Sequence, residues 1–212
     1  MLLSIDTCGS TGTVALARKD GGQISVLEMA ELAGKTYSAM LTPRLRELLN
    51  AHHVNLPQIN AIILLNGPGS FTGVRVGVSA VKGLAEVFST PVIAVSRLEV
   101  LARKAQRRYA ALDAGRGEFY FRDDDSRREE LLSLDELQAT ASAQNLAICE
   151  EKTAAVFPEA HFVTTPTASD ALVVALPRLE AQDFDDLAPL DGNYLRRSDA
   201  EVKSGILAGK AK

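Results

Sequence analysis

Residues 61–77 read Ala61-Ile62-Ile63-Leu64-Leu65-Asn66-Gly67-Pro68-Gly69-Ser70-Phe71-Thr72-Gly73-Val74-Arg75-Val76-Gly77, and their reading decides the fold. The unbroken apolar run Ala61 to Leu65 has the length and character of a strand buried on both faces. Asn66-Gly67-Pro68-Gly69 ends it, and the spacing predicts a long helix from Thr72 to about Phe88. Strand, glycine turn and helix are the start of a crossover unit, which builds a parallel sheet. The turn presents free backbone N–H groups at a helix N-terminus, with Ser70 or Thr72 available as cap, so it can hold an anion, but on the residues alone it reads first as a plain capped turn. It matches neither common phosphate loop. Gly73 is followed by Val74 and Arg75 instead of the Lys and Ser/Thr of a Walker A loop, and Thr72 stands where a dinucleotide fingerprint requires glycine.

Upstream, short β-type runs alternate with turn signals: Leu2 to Asp6, Thr13 to Ala17 and Ile24 to Met29, then a helix over Tyr37 to Leu49 with Leu41, Leu45, Leu48 and Leu49 at helical spacing. Downstream, Pro91 to Val95 reads as a further buried strand and Arg97 to Arg107 as a charged helix. A weaker second round follows. Tyr109 to Asp113, Glu118 to Arg122 and Glu130 to Ser133 read as strands, Leu134 to Ala139 as a helix, Asn145 to Cys149 as a strand and Ala168 to Arg178 as a last helix. The order βββαβα thus occurs twice, without sequence identity between the rounds, and the class is α/β. Glu180 to Asp191 is acidic and bears proline, as a surface crossing does; the segment from Asn193 carries Arg196, Arg197, Lys203, Lys210 and Lys212.

Gly73, Gly77 and Ala80 fall at i, i+4 and i+7, which leaves one face of the second helix nearly bare. Such a face either packs on its own sheet or docks another helix. In the docking case, Gly77→Trp or Gly73→Leu is expected to block pairing while the chain stays folded. A second segment, Ile5-Asp6-Thr7-Cys8-Gly9-Ser10-Thr11-Gly12, is a strand running into a hydroxyl-rich hairpin. It suits a phosphate with a carboxylate at the strand end, or an ordinary turn. The anion or nucleotide candidates are therefore Asp6, Thr7, Gly67, Gly69, Ser70 and Thr72.

Other chemistries find little support. A net charge of −4 gives no polycationic surface for unaided nucleic-acid binding. Cys8 and Cys149 are too few for a disulfide framework, and a reducing cytoplasm is the expected compartment; neither a signal peptide nor a spanning segment is expected from the first residues. His52, His53 and His161 have no HxxxH spacing, so no metal site is expected. Ser70 lacks the second glycine of a nucleophile elbow. The basic cluster Arg97, Arg103, Lys104, Arg107 and Arg108 reads as a solvated helix face before it reads as a nucleic-acid site; Asp123-Asp124-Asp125 interrupts its extension through Arg116, Arg122, Arg127 and Arg128.

Gly67 to Gly77 resembles the signature of the TsaB (YeaZ) family. Further matches are Leu3-Ser4-Ile5-Asp6-Thr7, Ser38-x-x-Leu41-x-Pro43, Asp113-Ala114-x-x-Gly117-Glu118-x-Tyr120 and Tyr194-Leu195-Arg196, which together span nearly the whole chain. The resemblance implies an actin-like (ASKHA, ribonuclease H-like) fold of two βββαβα halves, residues 1–100 with the segment 192–212 returning to them, and residues 101–191. It also implies a non-catalytic subunit, without cofactor, of the bacterial machinery that makes threonylcarbamoyladenosine on tRNA. Its partners would be the catalytic paralogue TsaD and the ATPase TsaE, with tRNA reached only through the complex. The partner surface implied lies on the first two long helices, here Ser38, Leu41, Leu45, Thr72, Gly73, Val76, Gly77 and Ala80, and it serves a homodimer when the partner is absent. Two positions depart from the family pattern: Tyr37 replaces a usual His, and Gly192-Asn193 replaces Pro-x before Tyr194.

Two other functions compete. A small ASKHA-type phosphotransferase would use Asp6-Thr7 and the Gly67 to Gly73 turn on ATP, yet residues 101 to 190 contain only Gly115 and Gly117 for an adenosine site. A peptidase would follow the family's old glycoprotease label, but no nucleophile and base pair supports it.

Overall fold

A computed structural model describes residues 1–33 and 36–196. The expected mobile end of the chain, with Arg197, Lys203, Lys210 and Lys212, lies outside the described residues.

Strand β1 (Leu2–Asp6) is entirely buried. It pairs antiparallel with β2 (Thr11–Asp20) and parallel with β4 (Ala61–Leu65); β3 (Gln23–Ala33) extends the sheet beyond β2, and β5 (Val92–Val95) beyond β4. The two parallel strands at the centre are apolar on both sides because both faces are covered. Helices α1 (Tyr37–Ala51) and α2 (Phe71–Phe88) lie on one face. Adjacent residues of β2 show the alternation: Gly12 lies against the Tyr37 ring, while the Thr13 hydroxyl accepts the backbone N–H of Ala168 at 2.7 Å. The opposite face is covered by α6 (Ala168–Glu180), whose buried residues Ala168, Ala171, Leu172 and Ala175 join the first core.

The second sheet repeats this connectivity. Strands β6 (Tyr109–Gly115), β7 (Glu118–Asp123) and β8 (Arg128–Ser133) form the antiparallel meander, and β9 (Leu146–Ile148) and β10 (His161–Phe162) add in parallel. On one face, α4 (Leu134–Thr140) and α5 (Glu151–Val156) close a core with Ala111, Phe119, Phe121 and Phe157. On the other, Ala110 and Leu112 meet Leu98, Leu101, Ala102 and Ala105 of α3 (Arg97–Ala105). Each half is thus βββαβα followed by one more strand and helix. Helix α5 and strand β10 were not expected from the sequence.

The two closing helices are exchanged with respect to chain position. Helix α3 follows the first five strands but packs on the second sheet; α6 follows the second five but packs on the first. They meet at the join, where Lys104 Nζ and Asp170 Oδ2 lie 2.7 Å apart. Amphipathic spacing fixes which side of a helix is buried, not which sheet buries it.

Candidate functional site

The end of β1 and the start of α2 are built onto each other. A Cβ at Gly73 would lie 2.0 Å from the Thr7 carbonyl oxygen, and one at Gly77 would lie 2.5 Å from Thr7 Oγ1. Glycine at both positions lets the helix backbone touch the strand, and the Thr7 hydroxyl donates to the Gly73 carbonyl at 2.7 Å. At Gly69 a Cβ would lie 2.3 Å from the Cys8 carbonyl oxygen, which accepts the Ser70 N–H at 2.8 Å. Ser70 is the N-cap, its Oγ accepting the Gly73 N–H at 3.3 Å.

These contacts decide between the two readings of the glycine face. Gly73 and Gly77 pack on their own sheet, so the expectation that Gly77→Trp or Gly73→Leu spares the fold is corrected: bulk at residue 73 collides with the Thr7 backbone just past β1, and bulk at residue 77 with the Thr7 side chain and Leu64. Leu41 and Leu45 are likewise buried in the first core. Of the eight residues named for a partner surface, Ser38 and Thr72 are exposed and Val76 and Ala80 half-buried. Tyr37 also turns inward. Its hydroxyl donates to the Gly9 carbonyl at 2.8 Å, and burial pushes its pKa up to about 12. The departure at residue 37 therefore ties α1 to the β1–β2 turn.

The phosphate reading of Asp6 and Thr7 meets the same obstacle. Both are buried, at 1% and 0% exposure. Asp6 Oδ1 accepts the Cys8 N–H at 2.8 Å, and burial raises the Asp6 carboxyl pKa against the opposing pull of Arg97. Neither side chain is available as an anion ligand. Gly67 is buried as well, while Gly69 is half-buried and Ser70 and Thr72 reach solvent.

Between the halves opens a cleft of about 860 Å³. One wall is the β1–β2 turn (Cys8 to Thr11), the first turns of α1 and α2, and Arg97; the other is Asp113, Ala114, Tyr120, Cys149, Glu150 and Thr165. Arg97, which the sequence placed in a solvated basic face, is only 7% exposed. Its Nη2 donates to Thr165 Oγ1 at 2.9 Å and would touch a Cβ at Gly9, whereas Nε makes no hydrogen bond. Burial pulls its pKa down, but Asp6, Cys8, Cys149 and Glu150 together raise it, so the group is a cation. Glu150 Oε2 accepts the Asp113 N–H at 2.5 Å and the Thr153 hydroxyl at 3.3 Å; burial raises the pKa of this carboxyl. Burial raises the Cys149 thiol in the same way. Only the Asp113 motif hinted at this wall. Arg97, Cys149 and Glu150 become visible as site residues once α3 and β9 are brought together.

Three more of the basic cluster are spent on ion pairs, Arg103 with Asp124 at 3.0 Å, Lys104 with Asp170 at 2.7 Å, and Arg108 with Asp123 and Asp125 at 3.0 Å each, while Arg107 donates to the Gln106 carbonyl at 3.0 Å. Buried Arg122 joins Asp124 and Glu129. Among the described residues no three His, Cys, Asp or Glu side chains are arranged to hold a metal ion. No helix of the described residues is long and apolar enough to cross a membrane.

The segment before the described end straps the halves together. The Asn193 N–H donates to the Asn66 carbonyl at 2.7 Å and its side-chain amide donates to Glu129 Oε2 at 2.5 Å. Tyr194 packs against Phe71 with ring centroids 4.7 Å apart and the planes tilted by 37°, and Arg196 Nη1 donates to the Ala114 carbonyl at 2.6 Å. At Gly192, where the family pattern departs, a Cβ would lie 2.4 Å from Val74 Cγ1.

Two five-stranded sheets of one connectivity around a shared cleft define an actin-like, ribonuclease H-like α/β protein. A family profile for tRNA N6-adenosine threonylcarbamoyltransferase (TsaD) matches residues 29–145, more than half of the chain. The chain belongs to this family, as one of its TsaB (YeaZ) members. It is 36% identical over 126 residues to the tRNA threonylcarbamoyladenosine biosynthesis protein TsaB of Haemophilus influenzae, covering 57% of this chain and 52% of that one. The Escherichia coli protein of the same name is also 36% identical over 126 residues, covering 57% and 53%. The chain thus spans about half the length of the curated relatives it matches. A solved Pseudomonas aeruginosa structure, described as similar to the peptidase YeaZ, superposes with a TM-score of 0.70 at 25% identity, over 92% of this chain and 99% of that one.

Proposed function

We propose that this protein takes part in threonylcarbamoyladenosine synthesis on tRNA as a non-catalytic scaffold and activator, residing in the cytoplasm. Its partners are a TsaD-like catalytic paralogue and a TsaE-like ATPase, and it reaches tRNA only through the complex. The carrying observation is the family membership together with the relatives named for this modification. The non-catalytic role draws support from the first wall of the cleft, where the carboxylate and hydroxyl that a phosphotransferase needs, Asp6 and Thr7, are engaged within the fold. A peptidase is not favoured: His52 pairs with Glu28 at 2.9 Å and His161 lies beside Arg107, so neither meets a nucleophile in the cleft.

The partner surface proposed is the exposed part of the first two helices, Ser38 and Thr72 with Val76 and Ala80, where the same face forms a homodimer when the partner is absent. The division into residues 1–100 with the returning end segment, and 101–191, is kept as a proposal for the chain's evolutionary halves; packing assigns α3 and α6 the other way. Depletion followed by nucleoside analysis of bulk tRNA tests the function: threonylcarbamoyladenosine is expected to fall and to return with the wild-type chain. Undiminished modification in its absence rules the reading out. Ser38→Glu with Thr72→Glu tests the surface, since acidic residues in the first turn of a helix are favourable and leave the fold intact. Pull-down of the paralogue is expected to fail with this double variant.

A further inference from the structure

The cleft carries both signs of charge. Among its described lining residues, Arg97 is the only cationic side chain and Asp113 and Glu150 are the carboxylates. Arg97 opens α3 beside the β1–β2 turn and reaches across to Thr165, while Asp113 lies near the end of β6 and Glu150 follows β9. The N-terminus of α2 adds partial positive charge to the Arg97 wall. Arg97 is more than nine-tenths buried, and its Nη2 sits between Gly9 and Thr165, both cleft residues, while its Nε has no partner. A desolvated guanidinium with unused donors favours a carboxylate, which it binds through two parallel hydrogen bonds. Both hydrogen bonds to Glu150 use Oε2, and Asp113 Oδ1 takes the Gly115 N–H at 2.7 Å.

This arrangement discriminates between ligand classes by charge. A polyphosphate brings several negative charges against two carboxylates and one cation, and a simple amine leaves the guanidinium unpaired. A molecule with a carboxylate and an ammonium on one carbon answers both signs of charge. We propose that the cleft binds a free α-amino acid as its zwitterion, the carboxylate on Arg97 and the ammonium on Asp113 and Glu150. The hydroxyls of Ser10, Thr11 and Thr72 make the surroundings polar, so small hydroxylated side chains fit better than apolar ones. This inference is independent of the scaffold role and survives or falls separately from it.

Titration calorimetry on the full-length protein tests it with L-serine and L-threonine as probes, against N-acetyl-L-threonine, ethanolamine and ATP. Saturable binding of a free amino acid is expected, weakened about tenfold or more when either charged group is missing from the ligand. Glu150→Gln is expected to lower affinity about tenfold while circular dichroism stays unchanged. Arg97→Lys is expected to weaken binding similarly; should it fail to fold, the ligand series on the wild-type chain still decides. No saturation at ~10 mM amino acid, where even a weak millimolar site would fill, overturns the proposal. So does equal binding of the N-acetyl compound, or tighter binding of ATP than of any amino acid.

Discussion

The two halves share one strand order and differ in how each makes its core. The first carries helices of 15 and 18 residues on one face of its sheet, and its core runs from Leu2 to Leu190. The second has helices of 7 and 6 residues there, and its buried residues separate into two smaller clusters. One of those clusters exists because α3, a helix from the first half of the chain, supplies Leu98, Leu101, Ala102 and Ala105. The smaller half thus borrows a helix, and the larger takes α6 in return. A duplicated connectivity does not imply two independent folding units. The exchange couples the halves around the cleft.

The largest expected effect attacks the close approach that the first half has and the second lacks. Gly73→Leu should abolish the folded state, because overpacking against the immovable Thr7 carbonyl exceeds the usual ~1–3 kcal/mol, and Gly77→Trp, whose ring must displace the buried Thr7 side chain and Leu64, should do the same. A cooperative urea transition near that of wild type would show that the β1–α2 contact is loose. Next come the exchanged helices. Leu101→Ala in α3 and Leu172→Ala in α6, both fully buried, should each cost about 2–5 kcal/mol. Both should lower a single transition seen alike by fluorescence and circular dichroism; two separate transitions would mean that the halves unfold independently. Smaller still is Thr7→Val, which removes the second donor to the Gly73 carbonyl, leaves it the helical partner, and should cost about 0.5–1.5 kcal/mol. Thr7→Ser should recover part of the loss in thermal melts.

The pH dependence probes the cleft. Burial holds the Glu150 pKa above its ordinary 4.5 in the folded chain, so folding binds its proton more tightly. That contribution to stability is complete below the unfolded value and is lost as pH rises through the folded one. Glu150→Gln should therefore gain stability relative to wild type across that rise, and melting curves from pH 4 to about 7 would record it. A constant difference over that range would deny the burial. Least affected is the exposed pair: Ser38→Glu with Thr72→Glu should change stability by no more than about 0.5 kcal/mol, which separates loss of pairing from loss of fold.

The central strand–turn–helix was legible because the unbroken apolar run Ala61 to Leu65 and the helically spaced residues after it stand on either side of a glycine turn. The hairpin of β2 and β3 was found but drawn short. Its polar ends, Arg18 to Asp20 and Gln23, continue the ladder around Gly21 without any apolar alternation to reveal them. Helix α5 and the two-residue strand β10 were missed because neither is long enough to show a period. The candidate site was legible on one side only. Ser70, Thr72 and the glycines stand together in the sequence, while Arg97, Cys149, Glu150 and Thr165 are separated by up to 68 residues and meet through pairing of β6 with β9.

By itself, the sequence determined the α/β class, the repeated strand order, the capped turn before α2 and the resemblance to TsaB proteins, since each rests on local spacing or a contiguous motif. Only the tertiary structure decided that the glycine face turns inward, that Asp6 and Thr7 are engaged inside the fold, and that α3 and α6 trade sheets. Local pattern specifies that a surface must be covered; what covers it depends on elements distant in the chain, and the charges of the cleft acquire their meaning from that arrangement.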